Sequence, residues 1–140
     1  MSDATHGTCT LHDFRLRSGE VLRQVTLAYV TRGTLNPDGR NAILVTHGYT
    51  SSHRMIESGE GSAEGAWSTL VGPGAPIDTN RYFVVCSNML GSSYGSSNAA
   101  STDPRTGKPY GSRFPTISVA DIVTYKREQG EEVAARLFAA

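Results

Sequence analysis

No histidine follows His53 in this chain of 140 residues, which excludes an imidazole base anywhere after that position. Neither sign of charge is in excess. Thirteen Lys plus Arg balance thirteen Asp plus Glu, so no basic field exists to concentrate nucleic acid or an anionic membrane, and neither is expected as a partner. No apolar run approaches the roughly 18 residues of a membrane span, and residues 1–8 lack the basic head and apolar stretch of a leader. A cytoplasmic protein is the expectation. The two cysteines, Cys9 and Cys86, stand far apart and in no metal-like spacing, which favours free thiols over a disulfide and gives no sign of redox chemistry. Repeats and coiled-coil heptads are absent. The hydrophobic share of 38% is low for a packed domain, and fifteen glycines beside six prolines say why: much of the chain is loop.

What is there begins with two alternating segments. In residues 11–17, Phe14 and Leu16 alternate with Asp13, Arg15 and Arg17, the period of a half-buried strand. Ser18-Gly19 then turns the chain, and residues 21–31 alternate again, with Val21, Val25, Leu27 and Tyr29 on one side. The pair predicts an antiparallel hairpin. Asn36-Pro37-Asp38-Gly39 is a strong turn signal that ends it. Residues 42–45 and 82–86 are instead continuously apolar, as strands covered on both faces are. The connection between them is long enough for a crossover and holds a weak helical stretch over residues 63–70, so the two are expected as neighbouring parallel strands. Residues 92–114 form a Gly/Ser/Pro-rich loop. Ser118-Val119-Ala120-Asp121 reads as a capping box that starts a helix. The apolar stripe of that helix, Val119, Ile122 and Val123, fails at Lys126 and resumes at Val133, Leu137 and Phe138, so either two short helices abut or the pattern was interrupted.

The order Tyr29-Val30-Thr31-Arg32-Gly33-Thr34-Leu35-Asn36, Asn41-Ala42-Ile43-Leu44-Val45, Trp67, Gly72-Pro73-Gly74, Ile77-Asp78-Thr79 and Arg81-Tyr82-Phe83-Val84-Val85 resembles the homoserine O-acetyltransferase family, a branch of the α/β-hydrolase fold. The likeness continues through Asn88, Leu90-Gly91, Gly95-Ser96, Thr106-Gly107-Lys108-Pro109-Tyr110-Gly111 and Phe114-Pro115, and covers about residues 11–124. Departures occur at His47-Gly48-Tyr49-Thr50, where the family has His-Ala-Leu-Thr, and at Asn98-Ala99, which replaces Gly-Pro. Residues 125–140 align with nothing, which puts a seam near residue 125, where the helix stripe also fails. The implied fold class is α/β: the N-terminal portion of an α/β-hydrolase domain over residues 1–124, with an antiparallel hairpin leading into parallel strands and a C-terminal helix, then a divergent helical tail over residues 125–140.

The motifs acquire meaning within that expectation. Gly91-Ser92-Ser93-Tyr94-Gly95 fits G-x-S-x-G, but a nucleophile elbow needs a helix immediately afterwards, and Ser96 to Pro104 is loop chemistry. Ser93 is therefore the weaker reading as a nucleophile, and flexible loop or pocket wall the stronger. The resemblance places the elbow on a strand beyond the Ser118 helix. His47-Gly48-Tyr49 follows a buried strand where an α/β-hydrolase places the loop giving one oxyanion N–H; by residue match the donor is the Tyr49 backbone, and Gly48 lets the backbone approach closely. An ordinary strand-to-loop turn is the alternative. Thr50, Asn88 and Gly91 are carried over as pocket residues. His47 itself reads as a structural hydrogen-bonder. His47 and His53 lie in a Gly/Ser/Thr loop without fixed ligand geometry, which argues against a metal. Residues 59–61 and 72–74 lack the Lys and helix start of a phosphate loop and read as turns; Asp78 and Asp103 read as structural, and Glu132 with Arg136 as a solvated pair.

The resemblance implies acyl transfer through an acyl-serine, from acetyl-CoA or another acyl-CoA as co-substrate and with no bound cofactor, to a small hydroxyl acceptor such as homoserine. Water as acceptor would make an esterase. This chain is expected to supply the oxyanion side without nucleophile, acid or base, and so to be silent alone. The strand at residues 42–46 would then leave an apolar edge that self-associates or takes a complementing C-terminal fragment. The competing readings are a non-catalytic binding module whose tail closes the half-sheet, and an enzyme using Ser93 with His47 or His53 as base.

Overall fold

The computed structural model describes residues 4–57 and 66–138. Strand β1 (Ala4–Arg15) and strand β2 (Val21–Arg32) are neighbours in the main sheet. The Leu16 N–H donates to the Glu20 carbonyl at 2.8 Å and the Gly19 N–H returns to Leu16 at 2.9 Å, with Gly19 at φ +90°. So short a link leaves only antiparallel pairing open, as expected. Strand β1 starts seven residues earlier than the alternation indicated, because residues 4–10 are too polar to show a period. The single-sided reading of β2 is also corrected. Val25 and Leu27 are buried, but so are Leu22, Ala28 and Val30 on the opposite parity, while Tyr29 is only half-buried.

Past the turn at residues 36–39, closed by the Gly39 N–H on the Asn36 carbonyl at 2.9 Å, come β3 (Ala42–Thr46), β4 (Val71–Gly72), β5 (Ile77–Asp78) and β6 (Phe83–Ser87). The sheet order is β1-β2-β6-β3. Strands β3 and β6 run parallel, with Val45 opposite Cys86 and Thr46 opposite Ser87, as their apolar runs predicted. Cover on both faces holds for β6 alone: β3 is the sheet edge, and its Leu44 is 60% exposed. The expected helical stretch is corrected for its described part. The Trp67 carbonyl accepts from both Leu70 and Val71, at 2.9 Å each, and this single turn delivers the chain into β4 rather than into a helix. Residues 72–74 form the expected turn, Ala75 donating to Gly72 and Gly74 at φ +72°. The turn read at residues 59–61 lies outside the described residues.

The long Gly/Ser/Pro segment is built, with a small antiparallel pair, β7 (Thr102–Asp103) and β8 (Lys108–Pro109), and a 3-10 turn at Gly111–Arg113. Helix α1 (Val119–Phe138) then starts on the predicted capping box: the Asp121 N–H donates to the Ser118 hydroxyl at 3.2 Å and the Ser118 N–H to the Asp121 carboxylate at 2.8 Å. It is one helix, not two. Lys, Arg, Glu and Gln are good helix formers, so the backbone continues where the apolar stripe stops. The side chains of Glu132 and Arg136 lie outside the described residues.

The chain divides into two compact units, Met1–Gly7 with Ala28–Asn88 and Thr8–Leu27 with Met89–Ala140. The first has a core of Val30, Val45, Met55, Ile56, Val71, Val84 and Cys86. Arg32 is buried with it, its Nη1 donating to the carbonyls of Ile56 at 2.9 Å and Val71 at 2.7 Å, which supplies the partners a buried cation needs. The second has a core of Phe14, Leu16, Leu22, Val25, Leu27, Leu90, Tyr110 and Tyr125. There the Tyr125 hydroxyl donates to the Val25 carbonyl at 2.9 Å, and burial pushes its pKa up.

Candidate functional site

Within the first unit the parallel strands β3 and β6 end in register, and the chain leaves them at His47 and Asn88. The carboxyl ends of parallel strands are where open α/β sheets hold ligands, because the loops there fan out over exposed strand ends. The His47 ring is buried, and its Nδ1 donates to the Gly48 carbonyl at 2.8 Å. The Ser51 N–H reaches the same carbonyl at 3.1 Å. Both bonds fix the peptide plane that joins Gly48 to Tyr49. That peptide is trans, so the Tyr49 N–H lies on the opposite side from the Gly48 carbonyl and points away from the turn. A backbone donor held this way by its own peptide partner needs no reorganisation to meet an oxyanion.

Around it Gly48 and Thr50 are exposed, and the Tyr49 side chain is 95% exposed. A Cβ at position 48 would meet nothing within 4 Å, so the glycine keeps the approach to the loop open without being required by the fold. Asn88 is different in kind. It is fully buried, and its N–H donates to the Ala28 carbonyl at 2.8 Å, which ties the end of β6 to β2.

Gly91 and Ser93 belong to the second unit. Gly91 adopts φ +83° and donates to the Ser97 carbonyl at 2.9 Å; Ser93 is exposed in a bend. Strand β6 ends at Ser87, and no helix follows Ser93: Tyr94 at φ +67° and Gly95 at φ +94° turn the chain instead. The Asn98 side-chain amide donates to the carbonyls of Ser92 and Ser96 at 3.1 Å each, stapling the loop. The sharp strand-to-helix geometry of an elbow is not present. Asp78 and Asp103 sit in turns as expected. The Asp78 carboxylate accepts the N–H groups of Gly74 and Asn80, and Asp103 accepts the Arg105 side chain and backbone; these bonds hold both carboxyls below the usual carboxylate range.

Two groupings had no sequence signal. An open cavity of about 400 Å³ in the second unit is lined by Gln24, Thr26, Gly95, Ser96, Ser97, Ser101, Thr102 and Pro104. In the first unit His6, His53 and Glu57 meet although about fifty residues separate the first from the others: His6 Nε2 lies 2.7 Å from Glu57 Oε1, and the two imidazole rings stand edge to face at 6.4 Å. Among the described residues no set of three or more His, Cys, Asp or Glu is arranged to hold a metal ion, and no helix is long and apolar enough to cross a membrane. Neither Cys9 nor Cys86 is in a disulfide, and both are buried.

No family model matches the chain. Individual proteins do. It is 51% identical over 115 residues to the homoserine O-acetyltransferase of Geotalea daltonii, which covers 79% of this chain and 31% of that protein. It is 51% identical over 110 residues to the homoserine O-succinyltransferase of Methylibium petroleiphilum, covering 77% of this chain and 28% of that one. This chain is a homologue of the homoserine O-acyltransferases. The crystal structure of homoserine O-acetyltransferase from Bacillus anthracis superposes with a TM-score of 0.81 at 27% identity over 96% of this chain and 38% of that one. Esterase E22 superposes at 0.79 and 26% identity, over 94% and 38%. The homologue therefore has the α/β-hydrolase fold in part, and it spans about a third of the length of the curated relatives it matches.

Proposed function

We propose that the chain forms the oxyanion side of a homoserine O-acyltransferase-like site, in which an acyl group passes from an acyl-CoA to a serine and then to the hydroxyl of homoserine or a similar acceptor. The observation that carries this reading is the Gly48 carbonyl, held by His47 and Ser51 so that the Tyr49 N–H points outward at the carboxyl end of β3. A negative oxygen developing on the acyl carbon would accept from that N–H. Thr50 and Asn88 would shape the pocket, with Asn88 acting through its buried place at the end of β6. The nucleophile, acid and base come from outside these 140 residues, and the chain alone is silent. Free β3 takes a further strand, from a second copy or a complementing fragment. An esterase with water as acceptor is the second reading, favoured by the match to esterase E22.

The test is a chimaera in which residues 1–124 replace the matching part of the Geotalea daltonii acetyltransferase. CoA release that requires homoserine supports the transferase reading; ester hydrolysis alone supports the esterase. In that chimaera Tyr49→Pro deletes the donor N–H and should lower kcat by about 10²–10³. Tyr49→Ala keeps the N–H and should change it little. Equal loss in both variants would refute the backbone role. Stoichiometric fluorophosphonate labelling of the unmodified 140-residue chain would refute its silence.

A further inference from the structure

We propose that His53 is an acid-operated release for the contact between the start of β1 and the 3-10 turn His53–Ile56, the segment that follows directly on the Tyr49 loop. The inference does not depend on the acyl-transfer reading. Ser52 starts the turn by accepting the Arg54 N–H on its hydroxyl, and the Glu57 N–H closes it on the Arg54 carbonyl at 3.0 Å. Met55 and Ile56 anchor it in the core. Ala4 of β1 packs on the same core, and the polar link is Glu57, which offers one carboxylate oxygen to His6 at 2.7 Å while Arg54 Nε of the turn itself holds the other at 2.8 Å.

His53 lies inside this arrangement, 3% exposed, and among the described residues its Nδ1 has no hydrogen-bond partner. The groups facing it are unfavourable to a second positive charge. Strand β1 brings His6, the loop after β3 brings His47 and its own turn brings Arg54, while on β2 the Arg32 guanidinium is bonded to the Ile56 carbonyl of the same turn. Strand β6 packs on the same turn and brings Cys86 but no charged side chain. Among the described residues Glu57 is the one carboxylate facing it, and both its oxygens are engaged. Burial first, and then His6, lower the His53 pKa from 6.5 to about 4, against the pull of Glu57.

The sign follows from linkage. A histidine whose folded pKa is depressed stabilises the closed form fully above its ordinary pKa, near 6.5, and that stability is lost as pH falls toward 4, because only the opened form takes the proton. Between pH 7 and pH 4.5 the ratio of opened to closed turn should rise about fiftyfold. Trp67, the only tryptophan in the chain, reports on it, since its backbone N–H donates to the Met55 carbonyl at 2.6 Å.

The experiment follows the His53 ring protons by NMR and Trp67 emission in the 140-residue chain from pH 8 to 3.5. A His53 midpoint below 5 with an emission change in the same range is the expected result. His53→Gln should abolish that emission change. His6→Asn should move the midpoint upward, since it removes a neighbouring imidazole. A His53 titration near 6.5 overturns the proposal, as does an emission change that persists in His53→Gln. If His53→Gln does not fold, the wild-type ring titration decides alone.

Discussion

Strands β3 and β6 carry nearly the same sequence signal and meet opposite ends. Each is five residues of mostly apolar side chains, they pair residue for residue, and they leave the sheet at the same level. Yet β6 has four of its five residues buried, whereas β3 has only Val45 buried and shows Ala42, Leu44 and Thr46 to solvent. Among the described residues β6 has a neighbour on each side, β2 and β3, and β3 has one. A continuous apolar run therefore announces that a strand is meant to be covered. It does not say which part of which chain does the covering.

That comparison can be broken hardest at β6. Val84 is fully buried, with Ile43 opposite on one side and the buried Arg32 on the other, so Val84→Lys places a second buried cation beside Arg32 and should cost roughly 4 kcal/mol or more, enough to unfold a small unit. Loss of the cooperative urea transition is the expected readout, and a midpoint close to wild type would mean that the sheet centre is open to water. A milder change sharpens the same point. Val84→Ala removes two methyl groups and leaves a cavity, which should cost about 2 kcal/mol by urea denaturation.

The sequence-level reading succeeded where local chemistry decides and failed where partners are remote. The turns at Gly19 and Gly39, the Ser118 and Asp121 capping box and the parallel pairing of β3 with β6 are set by residues within a few positions of one another or by uninterrupted apolar runs. The first seven residues of β1 have no alternation, and only a strand partner makes them a strand. Gly7 shows the kind of constraint involved: a Cβ there would collide with the Tyr29 ring. Arg32 reads as a polar residue at a strand end, but carbonyls 24 and 39 residues away bury it. At the candidate site the exposed loop was legible, since a glycine after an apolar strand marks an open turn. The bond from the His47 ring to the Gly48 carbonyl could not be read from residue order.

The smallest stability effect belongs to β3, and it is the most informative. Leu44 lies opposite Val85 but is 60% exposed, so Leu44→Lys should change the urea midpoint by no more than about 0.5 kcal/mol, as surface changes do. Association should respond far more. A lysine on an edge strand opposes pairing with another strand, both by its charge and by the water it holds. Light scattering of the wild-type chain at rising concentration should show growth in mass that Leu44→Lys suppresses. Wild-type protein that stays monomeric throughout would mean that one paired side suffices for β3, and that its apolar sequence reflects only the face turned to Val45 and the core.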